Sequence, residues 1–374
     1  MSSLKTLTGL EPGASAALDV ARFMLALCVA AAHWTQPYFQ DGWPDITRLA
    51  VGAVGGFFVL SGFTIRLITA GGSFRVDDYF VKRLARLWSV VLPALLATVL
   101  LDSISAHLDP GFYLANWHQS FPLLGLIANA IFITQNWGMD LAPLSNGPFW
   151  SIGYEAWFYA LYGLALARKP AWVAGVAILA GPNIWFLATL WLLGVGIYEL
   201  VARAGTRARM LALLCAALLL WTLDVGVLAT RWEYVHRGYD RVLDAYFGFF
   251  HVGVARVGMG FSLIAGAVTF ALSILTLLAA IDLVRPRVPE RMMRAARALG
   301  EFTFPLYLLH FPLFVLCASV GFYDRHSWVE KVAIFVAVGL VISSVVPLTE
   351  RFKRLLQKSL PVGKAFRQST ARPA

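Results

Sequence analysis

Apolar residues in this chain come in long blocks. They run near residues 17–35, 49–70, 85–102, 121–135, 149–167, 171–182, 184–202, 210–229, 257–284, 299–320 and 329–349. A helix rises about 1.5 Å per residue, so blocks of roughly 17–25 residues match a bilayer core about 30 Å thick. Spanning strands would instead read as alternating segments of about ten residues. Helices satisfy their own backbone in lipid, and the pattern predicts an all-α polytopic membrane protein.

Basic residues decide which of the eleven blocks cross, because Lys and Arg concentrate in cytoplasmic loops. They cluster at Arg75/Lys82/Arg83/Arg86, Arg168/Lys169, Arg203/Arg207/Arg209, Arg285/Arg287/Arg291/Arg294/Arg297 and Arg351/Lys353/Arg354/Lys358. Eleven crossings would put some of these clusters outside. The block "FPLLGLIANAIFITQ" near 121–135 is short, contains Asn129, and is flanked by 103–120 and 136–148, which hold no Lys or Arg. A re-entrant or interfacial path here makes every basic cluster cytoplasmic. The result is about ten transmembrane helices with both termini inside. Residues 1–16 then form a cytoplasmic N-terminal segment, 17–350 a membrane domain and 351–374 a basic cytoplasmic tail. Block 171–182 is short and runs into "GPN", and it reads as one half of a tight hairpin with 184–202. Asp19 and Arg22 ahead of the first long apolar stretch argue against a cleaved signal, so the first helix is expected to be retained.

Composition supports this reading. With 59% hydrophobic and 14% charged residues in 374 positions, the chain falls outside the soluble globular class. The net charge of +10 sits mostly in the inside loops, so topology explains it and no nucleic-acid partner is implied. Cys28, Cys215 and Cys317 lie in apolar blocks without metal-like spacing. They read as small core residues, with no disulfide and no metal site.

Ionisable groups inside such blocks carry the functional reading, since an arginine at mid-membrane costs about 2.5–3.5 kcal/mol on insertion scales. Arg22 and His33 are eleven residues apart on the first block. On a helix they lie about 16 Å apart along the axis and about 20° apart around it, so they share a face. Arg22 either snorkels to the inner interface or serves an anionic ligand, and His33 is either an interfacial ring beside Trp34 or a catalytic group. In the second block, Gly52 and Gly56 form a GxxxG pair suited to close helix packing, with Gly55 beside them and Ser61 and Arg66 following. Lys82, Arg83 and Arg86 stand at the mouth of the third. Arg83 and Arg86 share a face and are either inside anchors or phosphate ligands. Glu155 enters the membrane among Trp150, Trp157, Phe158 and Tyr159, with Ser151 on its face, and needs a partner. His33, at similar depth, is the expected one. Tyr307 and His310 stand three apart between Pro305 and Pro312, whose rings free backbone groups and imply a helix shaped around something.

Together these segments resemble the acyltransferase type 3 family of integral membrane O-acyltransferases. The match runs through "LDVARFMLALCVAAAH", "GGFFVLSGF", "KRLARLWSVVLP", "FWSIGYEAWFY", "FPLYLLHFP" and "PLTERF", in the family's order. The resemblance implies a stand-alone enzyme of the bacterial cytoplasmic membrane, without a fused esterase-like domain. Such an enzyme moves an acyl group, most commonly acetyl from cytoplasmic acetyl-CoA, to a hydroxyl of an envelope carbohydrate, a lipid-linked sugar or a small exported acceptor. It implies His33 and Glu155 as catalytic residues. Arg83, Arg86 and Lys82, with Arg22 and Ser61, fall to the donor, and Trp150, Ser151, Tyr307 and His310 complete the candidate site. Two departures stand out: Thr303-Phe304 replaces a common Ser-Tyr pair, and "KRLARL" lacks the usual adjacent arginines. The competing reading is a transporter or flippase with Arg22, His33 and Glu155 along a polar path. The absence of a visible inverted repeat counts against it.

The topology is testable with reporter fusions. A fusion at Gln135 is expected to report outside and one at Arg168 inside; an outside Arg168 would overturn the ten-crossing scheme.

Overall fold

The computed structural model describes residues 12–42, 44, 46–71, 74–250 and 260–359. Most of the proposed N-terminal segment, the tail beyond residue 359 and the start of the 257–284 block therefore lie outside the described residues. The elements are helices α1 (Pro12–Trp34), α2 (Thr47–Thr69), α3 (Val76–Leu108), α4 (Pro110–Trp117), α5 (Pro122–Ala130), α6 (Trp150–Leu166), α7 (Pro170–Ala180), α8 (Pro182–Ala204), α9 (Arg207–Phe249), α10 (Phe261–Val284), α11 (Glu290–Val320) and α12 (Trp328–Ser359). No strand occurs among the described residues. Among the described residues, eight helices are long and apolar enough to cross a membrane: α1, α2, α3, α8, α9, α10, α11 and α12. The chain is an all-α polytopic membrane protein.

The short helices refine the topology. Helix α5 has nine residues, far below a crossing, as the re-entrant or interfacial reading requires. Helix α6 has 17 residues and α7 only 11. At about 1.5 Å per residue, α7 covers about half of a bilayer core. Its end is met by protein: Asn136 Nδ2 donates to Leu179 O at 2.8 Å and Trp137 Nε1 to Ile178 O at 2.7 Å. These donors take carbonyls that a helix end leaves unpaired. Gly181 follows at φ +86°, with Trp137 packed where a side chain would stand. Helix α9 runs past its apolar block at 210–229, with a break at Arg231 (φ −129°, ψ 20°). Cys215 lies exposed on α9 and is not the core residue its apolar surroundings suggested.

The chain divides into two compact units. One holds α1 up to Ala32, α2, and the chain from Trp185 to Thr303. Within it α10 packs on α2 and α9. Contact with α2 is close: a Cβ at Gly55 would collide with the Leu263 carbonyl and stand 3.0 Å from Ala267 Cβ, and Gly52 faces Gly266. The small-residue seam read from the sequence is therefore a helix contact. The other unit runs from His33 through the following turn, from α3 to Ile184, and from Phe304 through α12. There α3 packs on α4, α5, α6 and α12.

Gly55→Leu should overpack the α2–α10 contact and cost about 2 kcal/mol. Thermal unfolding in detergent should show a clearly lower midpoint, and an unchanged midpoint would contradict the close packing.

Candidate functional site

Sequence-predicted residues fall into both units. In the first, Arg22 Nη1 lies 3.3 Å from Asp19 Oδ1, its own i−3 neighbour, and Nη2 donates to Thr64 Oγ1 of α2 at 3.0 Å. Ser61 Oγ accepts from Trp191 Nε1 at 3.2 Å. Arg66 Nε pairs with Glu199 at 2.5 Å, and Arg203 joins the same carboxylate at 3.1 Å. These contacts tie α1 to α2 and α2 to α8.

The second unit gathers the rest. His33, near the end of α1, is half-buried, and its Nδ1 lies 2.9 Å from His310 Nε2. The rings are nearly parallel, 8° apart with centroids at 5.2 Å, and Phe311 stands edge-on to His33 at 5.5 Å. His310 is 0% exposed, and its Nδ1 lies 2.9 Å from Leu306 O one turn back on α11. The expected His33–Glu155 pair does not form. Two residues of similar depth on different helices need not meet, and here a histidine of α11 takes that place.

Glu155 belongs to a different cluster. It accepts from the Tyr159 hydroxyl, one turn on along α6. It also acts electrostatically on Tyr79, Arg83 and Tyr307. Arg83 lays its guanidinium over the Tyr159 ring, 5.9 Å from the centroid, a cation–π arrangement. Its Nε is buried without a hydrogen-bond partner. Arg86 acts on both Arg83 and Tyr159, so the two guanidinium groups lie near each other and near the Tyr159 phenol. Lys82 is exposed and engaged with Asp78 at 2.7 Å. A buried guanidinium nitrogen without a partner, beside a second arginine, suits an anionic group such as a phosphate.

Helix α11 is built around its prolines. Pro312 has no N–H for Leu308 O four residues back, and Asn146 Nδ2 supplies the missing donor at 2.8 Å. Asn146 also donates to Thr98 at 2.9 Å. The Tyr307 hydroxyl donates to Pro148 O at 3.1 Å and lies 2.7 Å from Ser151 Oγ. Tyr307 and Ser151 thus fasten α11 to the start of α6, where Trp150 packs edge-on against Tyr154.

Asp102 underlies this arrangement and was missed as a site residue, because it closes an apolar block and reads as a loop residue. It is 2% exposed and accepts from Ser145 N and Oγ at 2.8 Å each and from the Tyr113 hydroxyl at 2.9 Å. Burial, then the Asp102 carboxylate, push the Tyr113 phenol above its ordinary value, so it remains a donor. The carboxylate thereby fixes residues 145–148, the segment that holds α11. Among the described residues, no three His, Cys, Asp or Glu gather in a way that could hold a metal.

Asp102→Leu should leave buried donors unmatched and cost roughly 3 kcal/mol. Amides of residues 145–149 should exchange hydrogen faster in the variant; unchanged exchange would remove Asp102 from this role.

The chain matches the acyltransferase domain family over residues 15–348. No curated protein and no solved structure matches it significantly. The family match spans α1 through most of α12 and includes both the histidine pair and the arginine cluster. This chain belongs to the acyltransferase type 3 family.

Proposed function

We propose that this acyltransferase moves an acyl group, most commonly acetyl, from cytoplasmic acyl-CoA to a hydroxyl of an envelope or exported carbohydrate-type acceptor, in the cytoplasmic membrane of a bacterium. The observation that carries the reading is the half-buried His33 imidazole, joined through Nδ1 to a second imidazole. Such a ring can take a proton from a hydroxyl when the attacking oxygen reaches the thioester carbon, which is general-base work.

The donor's phosphates are assigned to Arg83, whose buried Nε lacks a partner, together with Arg86. Lys82, exposed and held by Asp78, adds positive charge at the entrance. The Tyr159 ring lies beneath the Arg83 guanidinium and Glu155 adds negative charge beside it, so Glu155 is assigned to the donor site rather than to orienting His33. Arg22 and Ser61 keep a bracing role through Asp19, Thr64 and Trp191.

Purified protein incubated with labelled acetyl-CoA should hydrolyse it or become labelled. His33→Ala should lower turnover about 10²- to 10⁴-fold while the protein stays folded and inserted. Arg83→Ala should raise the donor KM about tenfold or more, the loss of a charge-assisted hydrogen bond. Undiminished turnover in His33→Ala would overturn the base, and unchanged donor affinity in Arg83→Ala would overturn the phosphate role. Mass analysis of envelope glycans and secreted metabolites, with and without the gene, identifies the acceptor.

A further inference from the structure

We infer that His310 is a positioning residue that fixes the tautomer of His33, leaving Nε2 of His33 as the nitrogen that receives the acceptor's proton. The inference rests on the reading of His33 as the base and adds which atom acts and what controls it.

The proton positions follow from the partners. Leu306 O can only accept, so His310 Nδ1, 2.9 Å away, carries a hydrogen. His310 is 0% exposed, and its hydrogen-bonding neighbours are the backbone carbonyls of Leu306 and Tyr307 and the other imidazole, with no carboxylate to balance a charge. A buried imidazolium without a counter-charge is costly, so the ring is neutral and its Nε2 bears a lone pair. That lone pair faces His33 Nδ1 at 2.9 Å. A hydrogen bond there requires the hydrogen on His33 Nδ1, and a neutral His33 then has a bare Nε2. In water the neutral histidine side chain favours the opposite tautomer, with Nε2 protonated and unable to act as a base. His310 reverses that preference.

The two rings are not equivalent. His33 is half-buried, while His310 has no exposed surface and both of its nitrogens are used. His310 is itself held rigidly. Phe314 stands against it at 5.7 Å and 70°, and the Asn146 bond to Leu308 O restores the backbone turn that Pro312 opens.

In the transfer step the acceptor's O–H bond breaks as its oxygen bonds to the thioester carbonyl carbon, and the proton passes to His33 Nε2. The carbon–sulfur bond then breaks, and the departing coenzyme A thiolate takes that proton. While His33 is an imidazolium, its Nδ1–H donates to neutral His310 Nε2 as a charge-assisted hydrogen bond. His310 neither gains nor loses a proton.

The test uses the full-length protein in lipid nanodiscs with ¹⁵N-labelled histidine, the His33 signals being assigned by their loss in His33→Ala. Wild type should show His33 protonated at Nδ1 and bare at Nε2. His310→Phe keeps a planar ring without an acceptor. It should shift His33 toward the Nε2-protonated form and lower acetyl-CoA turnover, with water standing in for the acceptor, about 100-fold in kcat at unchanged donor KM. His310→Gln places an amide oxygen near the lost nitrogen and should restore at least a tenth of wild-type kcat. A wild-type His33 that is bare at Nδ1 overturns the inference, with no variant needed. So does a His310→Phe enzyme with wild-type kcat beside an inactive His33→Ala. An active His33→Ala overturns the base reading itself, a distinct outcome.

Discussion

Polar groups inside an assembly of apolar helices have little water to turn to, so each must find its partner within the protein. In the second unit this constraint forms a chain of dependence. Asp102 accepts three hydrogen bonds that fix Ser145 and Tyr113. The segment so fixed presents Asn146 to the carbonyl that Pro312 leaves open, and Pro148 to the Tyr307 hydroxyl. Helix α11 is thereby set in register, His310 is spent on Leu306 O, and His33 receives its partner. Removing an early link leaves buried donors or acceptors unmatched further along, and each such orphan costs about 1–3 kcal/mol.

The same constraint separates two kinds of polar cluster. At the histidine pair every hydrogen-bonding position of His310 is matched, and a fully matched polar group is rigid. At the Arg83 cluster a polar atom is left over: Arg83 lies over the Tyr159 ring with Arg86 and Glu155 nearby, and its Nε is buried without a partner. The first arrangement suits a base whose proton positions matter. The second suits a pocket completed by an anionic ligand. In the other unit, Arg22, Ser61 and Arg66 are matched by Asp19, Thr64, Trp191 and Glu199, which gives them a bracing role between helices.

Much of the fold was legible because the bilayer reduces sequence reading to block length and charge. The long helices follow the apolar blocks, and the glycines of α2 announced a close contact that α10 supplies. Less legible was what happens at the ends. Helix α7 stops after 11 residues at Gly181-Pro182, as the sequence shows, but the side chains of Asn136 and Trp137 that take its last carbonyls come from more than 40 positions away, a contact that no local pattern carries. In the site, the residue types were readable and their pairing was not. Glu155 and His33 looked like partners by depth, yet helix rotation decides which side chains meet, and rotation depends on packing. Pro312 did leave a readable signal: a proline in an apolar helix frees the carbonyl four residues back, and an asparagine in a loop rich in turn residues is suited to fill it.

In the proposed function, donor phosphates and acyl carbon are held by two separate constellations of one unit, with His33 Nε2 at the reacting end. A structure determined with a non-hydrolysable acetyl-CoA analogue would decide this. Analogue phosphate oxygens should lie within hydrogen-bond distance of Arg83 and the acyl carbonyl beside His33. An analogue bound with its phosphates away from Arg83 and its acyl group out of reach of His33 would contradict it.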